Sequence, residues 1–429
     1  MKLITLDPAH FHAALIQKSA YPGVDSTVYV YAPANSQALK NHLSLIEGYN
    51  KRDNRPTNWN EIVYTGSDYF ERMLNERKGN VVVLAGNNKL KTTYISKAVE
   101  ARINVFSDKP MAINSAGFEL LKKTFVQAEQ KSVLLLDIMT ERYQASNALQ
   151  KELMQFPELF GTLLKGSIDQ PAVEMESVHH FFKTVSGKPL QRPEWYFDVE
   201  QQGEGIVDVS THLVDLVQWQ CFYNQPLEYK KDIQILNAKR WPTVISKEQF
   251  TKVTGENSFP DYLQKDIKAG ALNVYSNGEM IYKIKGVVVK LAAIWNYEAP
   301  TGAGDTHYSI IRGTKANLVI RQGAEQNFQP ELFIEPITIS ESYRKNLELV
   351  IEKLASKYPG IGLEKTDKGW RILIPSSLQL DHETTFSKVV LKYIDYLNKN
   401  SVPKWEKQAL LAKYFTTTEA LKWALKLNP

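Results

Sequence analysis

The 429-residue chain has one cysteine, Cys221. A single thiol excludes an intrachain disulfide framework and any multi-cysteine zinc or iron–sulfur centre. No apolar run reaches the roughly 18 residues that a membrane helix requires. The first apolar stretch, Leu3 to Leu6, runs directly into Asp7-Pro8, so no secretory signal is expected. Lone cysteine and missing signal together point to a cytoplasmic protein with no membrane partner. Lys and Arg exceed Asp and Glu by 52 to 47. That excess is small and forms no dense basic cluster, so no nucleic-acid partner is expected. Internal repeats and low-complexity segments are also absent. Hydrophobic residues make up 43% and charged residues 23%, an ordinary globular composition with enough length for two or three domains.

What is present begins with a regular alternation. Short apolar runs at Lys2–Leu6, Thr27–Tyr31, Ile62–Tyr64, Val81–Ala85, Ile103–Phe106 and Val133–Leu136 read as strands. Amphipathic stretches of helical length separate them, including Ser36–Ile46, Thr92–Ala101 and Ser115–Gln130. Val81–Ala85 is continuously apolar, as a strand covered on both faces must be. This rhythm predicts a doubly wound parallel sheet over residues 1–140, with a ligand at the carboxyl ends of its strands.

Beyond residue 140 the pattern changes. Leu163–Ile168 reads as a strand, Ile206–Trp219 as a helix, and residues 271–321 as consecutive strands of a large, mostly antiparallel sheet. Ser276-Asn277-Gly278 and Lys285-Gly286 read as hairpin turns, and Pro300 to Asp305 as a loop. The overall expectation is an α/β fold: a Rossmann-like domain at 1–140, an α+β domain at 141–340, and a C-terminal extension at 341–429. Val287, Val289, Leu291, Ala293 and Trp295 alternate along one strand face. That face suits a subunit interface, so a homo-oligomer, a dimer or tetramer, is expected.

The first strand–helix turn contains no glycine. A dinucleotide site ordinarily has Gly-x-Gly-x-x-Gly there, so that backbone can approach the pyrophosphate. Here it reads Asp7-Pro8-Ala9-His10-Phe11-His12-Ala13. Ala9 and Ala13 keep part of the space, and His10 and His12 can donate hydrogen bonds to phosphate or simply fix the turn. The second strand ends Tyr31-Ala32-Pro33, without the acid that usually holds the ribose. NAD and NADP therefore stay equally open.

Two segments carry more. Asn104 to Ala112 ends a strand with Asp108-Lys109-Pro110. Gly203 to Asp215 leads from glycines into Asp208-x-x-x-His212. In this order, about 100 residues apart, they resemble the Gfo/Idh/MocA family of oxidoreductases. Ala85-Gly86-Asn87-Asn88 resembles that family's Thr-Pro-Asn turn, with Lys91 where a histidine is frequent. Arg312 to Leu318 resembles its Gly-Thr-x-Gly turn. The resemblance covers residues 1–330. It implies NAD or NADP as cofactor, held by Asp7, Ala9, His10, Phe11, His12, Ala32, Asn87, Asn88, Asp108 and Lys109. It also implies a sugar or sugar-derived polyol as the small-molecule substrate.

Read without the family, Asp208, His212, Asp215 and Trp219 fall on one helical stripe. His212 has a pKa suited to proton exchange near neutrality. Asp208 can orient it, or His212 can pair structurally with Asp208 or Asp215. Gly203 and Gly205 would let substrate approach backbone. Lys109 can bond the reacting hydroxyl. Catalysis is thus assigned to Lys109, Asp208 and His212, with substrate contacts from Arg142, Tyr143, His180, Trp195, Asp208 and His212. Arg142 can equally serve in a salt bridge, and the aromatic residues in packing. His179, His180 and His212 match no compact ligand spacing, so no metal is expected. Two alternatives accompany hydride transfer: NAD-dependent glycoside cleavage by transient oxidation, and a non-catalytic sugar-binding relative.

Overall fold

The structure is a computed structural model and describes residues 1–185, 188–300, 302–380 and 382–427. Thr301, within the loop expected at Pro300 to Asp305, lies outside the described residues. The chain divides into two compact units. One comprises Met1–Thr140 with Asp381–Tyr414, and the other Glu141–Leu380 with Phe415–Pro429.

The first unit alternates strand and helix. Its elements are β1 (Leu3–Leu6), α1 (His12–Leu15), β2 (Thr27–Ala32), α2 (Gln37–Lys51), β3 (Asn60–Thr65), α3 (Tyr69–Glu76), β4 (Val81–Leu84), α4 (Lys91–Glu100), β5 (Asn104–Ser107), α5 (Ser115–Lys131) and β6 (Leu135–Asp137). The six strands form one sheet in the order β3-β2-β1-β4-β5-β6, all parallel. Every residue of β1 and β4 is buried, as covering on both faces demands. Side-chain caps start two helices: Ser36 accepts from Leu39 N–H, and Asn114 from Gly117 N–H. The first helix, α1, is only four residues long. No side chain caps its start, and Tyr21-Pro22-Gly23 closely follows. The strand order reverses between β1 and β4, which fixes where a ligand of this sheet binds.

The second unit is built on a mixed ten-stranded sheet. It opens with α6 (Ala145–Leu153) and β7 (Val173–Phe182). Two short strands follow, β8 (Thr184–Val185) and β9 (Lys188–Pro189), then α7 (Val199–Gln202), α8 (Ser210–Cys221), α9 (Tyr229–Asp232), β10 (Ile233–Ile245), α10 (Lys247–Thr254), β11 (Ile267–Lys268), β12 (Ala271–Ile284), β13 (Val287–Glu298), β14 (Thr306–Arg312), β15 (Ala316–Gln322), β16 (Glu331–Pro336), α11 (Glu341–Ala355), β17 (Gly362–Thr366) and β18 (Gly369–Leu373). The main sheet runs β10-β12-β13-β7-β14-β15-β16-β18-β17, with β11 beside β12. Only β7 and β13 pair in parallel. Residues 331–373 thus extend the same sheet, while α12 (His382–Lys399) and α13 (Lys404–Leu427), as far as Tyr414, belong to the first unit.

Several sequence expectations are corrected here. Leu163–Ile168 forms isolated bridges, not a strand. Ser276-Asn277-Gly278 is no hairpin turn, for β12 continues straight through it. Gly278 is there for a close approach: a Cβ would lie 2.6 Å from the Ile206 Cβ. Lys285-Gly286 does turn the chain, from β12 into β13. The regular helix begins at Ser210, with successive turns over 206–209, so Asp208 precedes the helix and is not on its stripe. Val287, Val289, Leu291, Ala293 and Trp295 are all buried within this one chain, Ala293 and Trp295 in a core with Phe181, Phe197 and Val209. That face is the unit's own core and not a subunit interface. Two long strands escaped the sequence reading. Glu174, Glu176 and the histidine pair break the apolar pattern of β7, and Pro242 sits where the β10 register shifts between Trp241 and Thr243.

Candidate active site

In the first unit, the turns leaving β1, β4 and β5 meet at the carboxyl edge of the sheet. Asp7 follows β1 with a left-handed φ of 45°, so an aspartate makes the tight turn that glycine usually makes. The glycine needed for close approach sits instead after β4. A Cβ on Gly86 would lie 2.4 Å from the Asp7 carbonyl oxygen and 3.3 Å from the Ala9 Cβ. The His10 N–H donates to the Ala85 carbonyl at 3.1 Å, tying the two turns together. Ala32, at the end of β2, is fully buried. The exposed Phe11 ring packs against both neighbouring imidazoles.

Asp108 is the hub of this edge. Its Oδ2 lies 3.0 Å from His12 Nδ1 and 3.2 Å from His10 Nδ1. Its Oδ1 accepts from the Lys109 N–H at 2.9 Å. The histidines expected as phosphate donors therefore both turn Nδ1 toward one carboxylate. Burial alone would raise the Asp108 pKa, but the adjacent His12 and His10 outweigh it and hold the group well below the usual carboxylate range. Lys109 emerges at the end of β5 and is joined to Pro110 by a cis bond. Asn88 is buried and accepts a short hydrogen bond from Lys91 Nζ, which also donates to the Asp108 carbonyl at 3.2 Å. The Asn87 side chain accepts from the Lys89 N–H.

Sequence reasoning noted Lys91 only as a departure from the family histidine, and it missed the C-terminal contributions. Phe386 stacks within 4.7 Å of the His12 ring, and Tyr393 within 4.3 Å of Phe106 on β5. Lys413 Nζ and the Tyr414 hydroxyl both engage Asp137 at the end of β6, at 2.8 and 2.7 Å. No local signal announces these partners, because they lie more than 270 residues from what they touch.

The second unit holds the other candidates. Asp208 is buried in the turns before α8 and accepts from Gln202 Nε2 at 3.1 Å. His212 stands in the first turn of α8, partly exposed. Asp215, one turn on, belongs to Arg142: the guanidinium grips both carboxylate oxygens at 2.6 Å, with both side chains buried. Arg142 thus makes a salt bridge, one of the two roles its position suggested. Tyr143 ends the same short turn as Arg142. Glu204 is paired with Arg240 at 2.8 Å. Gly205 admits no Cβ, which would fall 1.7 Å from the Ser276 carbonyl oxygen. Its role is to let the loop cross β12, rather than to admit a substrate.

His180 is buried against Asp305, with Nδ1 3.1 Å from Oδ1. His179 and Lys183 reach the other oxygen of the same carboxylate. Burial would raise the pKa of Asp305, but these cations outweigh it and hold it far down. Trp195 lies on a short helical turn beside Tyr196, whose ring carries the Arg192 guanidinium at 4.4 Å. His180 and Trp195 thus sit in one aromatic and basic neighbourhood, as their spacing suggested, but Asp305 was not foreseen.

Comparison with known proteins accords with this geometry. Residues 11–136 match the family model described as "Oxidoreductase family, NAD-binding Rossmann fold", and residues 149–425 the one described as "Putative oxidoreductase C terminal domain". A crystal structure of a "putative oxidoreductase" from Parabacteroides merdae is 54% identical, with 100% of this chain and 98% of that chain covered and a TM-score of 0.97. Levoglucosan dehydrogenase, solved with NADH and levoglucosan, shares the fold at 14% identity and a TM-score of 0.62, covering 99% of this chain and 97% of its own. A 3-ketoreductase of Actinomadura kijaniata, solved with NADP, shares it at 11% identity and a TM-score of 0.56, covering 97% and 95%. No curated protein matches the sequence.

Proposed function

This chain belongs to the Gfo/Idh/MocA family of oxidoreductases, with an NAD-binding Rossmann domain at its N-terminus, and from that premise we propose that it oxidises a carbinol carbon of a sugar or sugar-derived polyol, using NAD or NADP. The observation that carries this reading is the exit of Asp108-Lys109-Pro110 from the carboxyl end of β5 in a parallel sheet of Rossmann order.

The first-unit residues fit a dinucleotide. Gly86 and the small Ala9 keep the crossing of the two turns narrow, and Asp7 supplies the left-handed bend. Asp7, Ala9, His10, Phe11, His12, Ala32, Asn87, Asn88, Asp108 and Lys109 would hold it. The nicotinamide, when bound, accepts or returns the hydride. The chain's own residues bind, orient and handle protons. Lys109 donates a hydrogen bond to the reacting oxygen and stabilises negative charge developing on it. His212 accepts the hydroxyl proton. Asp208 orients that exchange, while Arg142, Tyr143, His180 and Trp195 position the hydroxylated substrate. Levoglucosan dehydrogenase, solved with levoglucosan, favours a carbohydrate-like substrate.

The decisive assay denatures the purified protein and measures nicotinamide dinucleotide in the supernatant, then titrates emptied protein with NAD and NADP. Retention or binding of one of them supports the reading and selects the cofactor. A protein that neither retains nor binds either is not a dehydrogenase. With a turned-over sugar in hand, His212→Ala should lower kcat about 100-fold or more, the usual range for a lost general base, and leave cofactor affinity within about 2-fold. Unchanged kcat would remove His212 from the reaction.

A further inference from the structure

We propose that His10, His12 and Asp108 form a binding site for a divalent first-row transition-metal ion of the zinc class. The site lies wholly within the first unit and uses three residues also proposed to hold the dinucleotide, so it is tested by metal binding alone, with no dinucleotide or substrate present.

Two imidazoles from a His-x-His turn and one carboxylate offer three ligand atoms within 4.8 Å of one another. Metal–ligand bonds of 2.0–2.1 Å place tetrahedral ligand atoms about 3.3 Å apart. The two Nδ1 atoms lie 3.2 and 3.0 Å from Asp108 Oδ2. Small outward shifts bring this arrangement to coordination distance.

Alignment separates coordination from a simple hydrogen-bonded cluster. His12 Nδ1 forms a proper hydrogen bond to Asp108. His10 Nδ1 lies 3.2 Å from the same oxygen with poorer alignment. A nitrogen close to an oxygen but not aimed squarely at it is what two ligands of one ion look like, since each points at a third place between them.

The surroundings are built for a cation. Asp108 Oδ1 is occupied by the Lys109 N–H, so Oδ2 is oriented toward the histidines. The nearby Lys91 ammonium bonds the Asp108 carbonyl and Asn88. Phe386 packs on the His12 ring and limits its rotation. Three protein ligands leave a coordination position open for water or a substrate oxygen, as in catalytic rather than structural sites. Only the Nδ1 atoms are used.

The test uses tag-free, full-length protein. After loading with Zn(II) and exhaustive dialysis, one equivalent per chain should remain by elemental analysis. Co(II) loading should give the visible absorption of a four- or five-coordinate ion. His12→Gln and Asp108→Asn should each weaken Zn(II) binding at least 10-fold, in the range typical of damaged metal sites, and His179→Gln in the second unit should keep the full equivalent. If either buried variant misfolds by circular dichroism, His10→Gln, on the more exposed ring, decides alone. No retained equivalent in the wild type, or an undiminished one in His10→Gln, overturns the proposal.

Discussion

Asp108 in the first unit and Asp305 in the second are alike in one respect: each carboxylate is approached by two imidazoles. They differ in everything around that motif. Asp108 is enclosed, and its histidines come from a single His-x-His turn. Asp305 is partly exposed, its histidines are adjacent on β7, and Lys183 already occupies the place a cation would take. The same two residue types thus build a candidate ion site in one unit and a salt-bridge cluster in the other. What marks the second is the Lys183 ammonium on its carboxylate.

That contrast can be broken experimentally. Breaking a buried charge pair by removing one partner costs roughly 3–5 kcal/mol, so Asp108→Ala should lower stability by about 3 kcal/mol in a denaturant titration. Asp305→Ala, removing a partly solvated carboxylate, should cost only about 1 kcal/mol. Equal losses would erase the distinction.

A smaller effect, shared with His42 of the first unit, which burial also pushes down to about 4, appears with pH. Burial, with the neighbouring His179 adding to it, pushes His307 down to about 4. The unfolded histidine titrates near about 6.5. Between these values the unfolded chain binds more protons, so this contribution is present above about pH 6.5 and is lost as pH falls toward about 4. Denaturation midpoints of the wild type should fall across that window, and His307→Asn should flatten the fall. The mildest expected change is Lys183→Ala, under about 1 kcal/mol, because its ammonium is partly solvated. A larger loss would mean that the second cluster depends on its lysine as the first depends on its carboxylate.

Much of the first unit was legible in the chain. Six apolar runs at regular spacing are enough to specify a parallel sheet, since only strands covered on both faces read so continuously. Asp108, Lys109, Asp208 and His212 were legible too, because titratable residues beside glycine or proline are conspicuous against an apolar background. The pairings were not. Nothing local joins His12 to Asp108 across 96 residues, or Arg142 to Asp215 across 73. Gly278 looked like a turn because a strand glycine and a turn glycine read alike. Only the approach of Ile206 tells them apart.

The sequence by itself determined the alternation of elements, the parallel sheet they build and the kinds of groups placed at its carboxyl edge. Tertiary structure alone decided which carboxylate meets which cation, that the apolar face of β13 is interior, and that residues 381–414 return to the first unit. Periodicity is written in neighbouring residues, whereas burial and charge pairing depend on segments that become neighbours only when the chain folds.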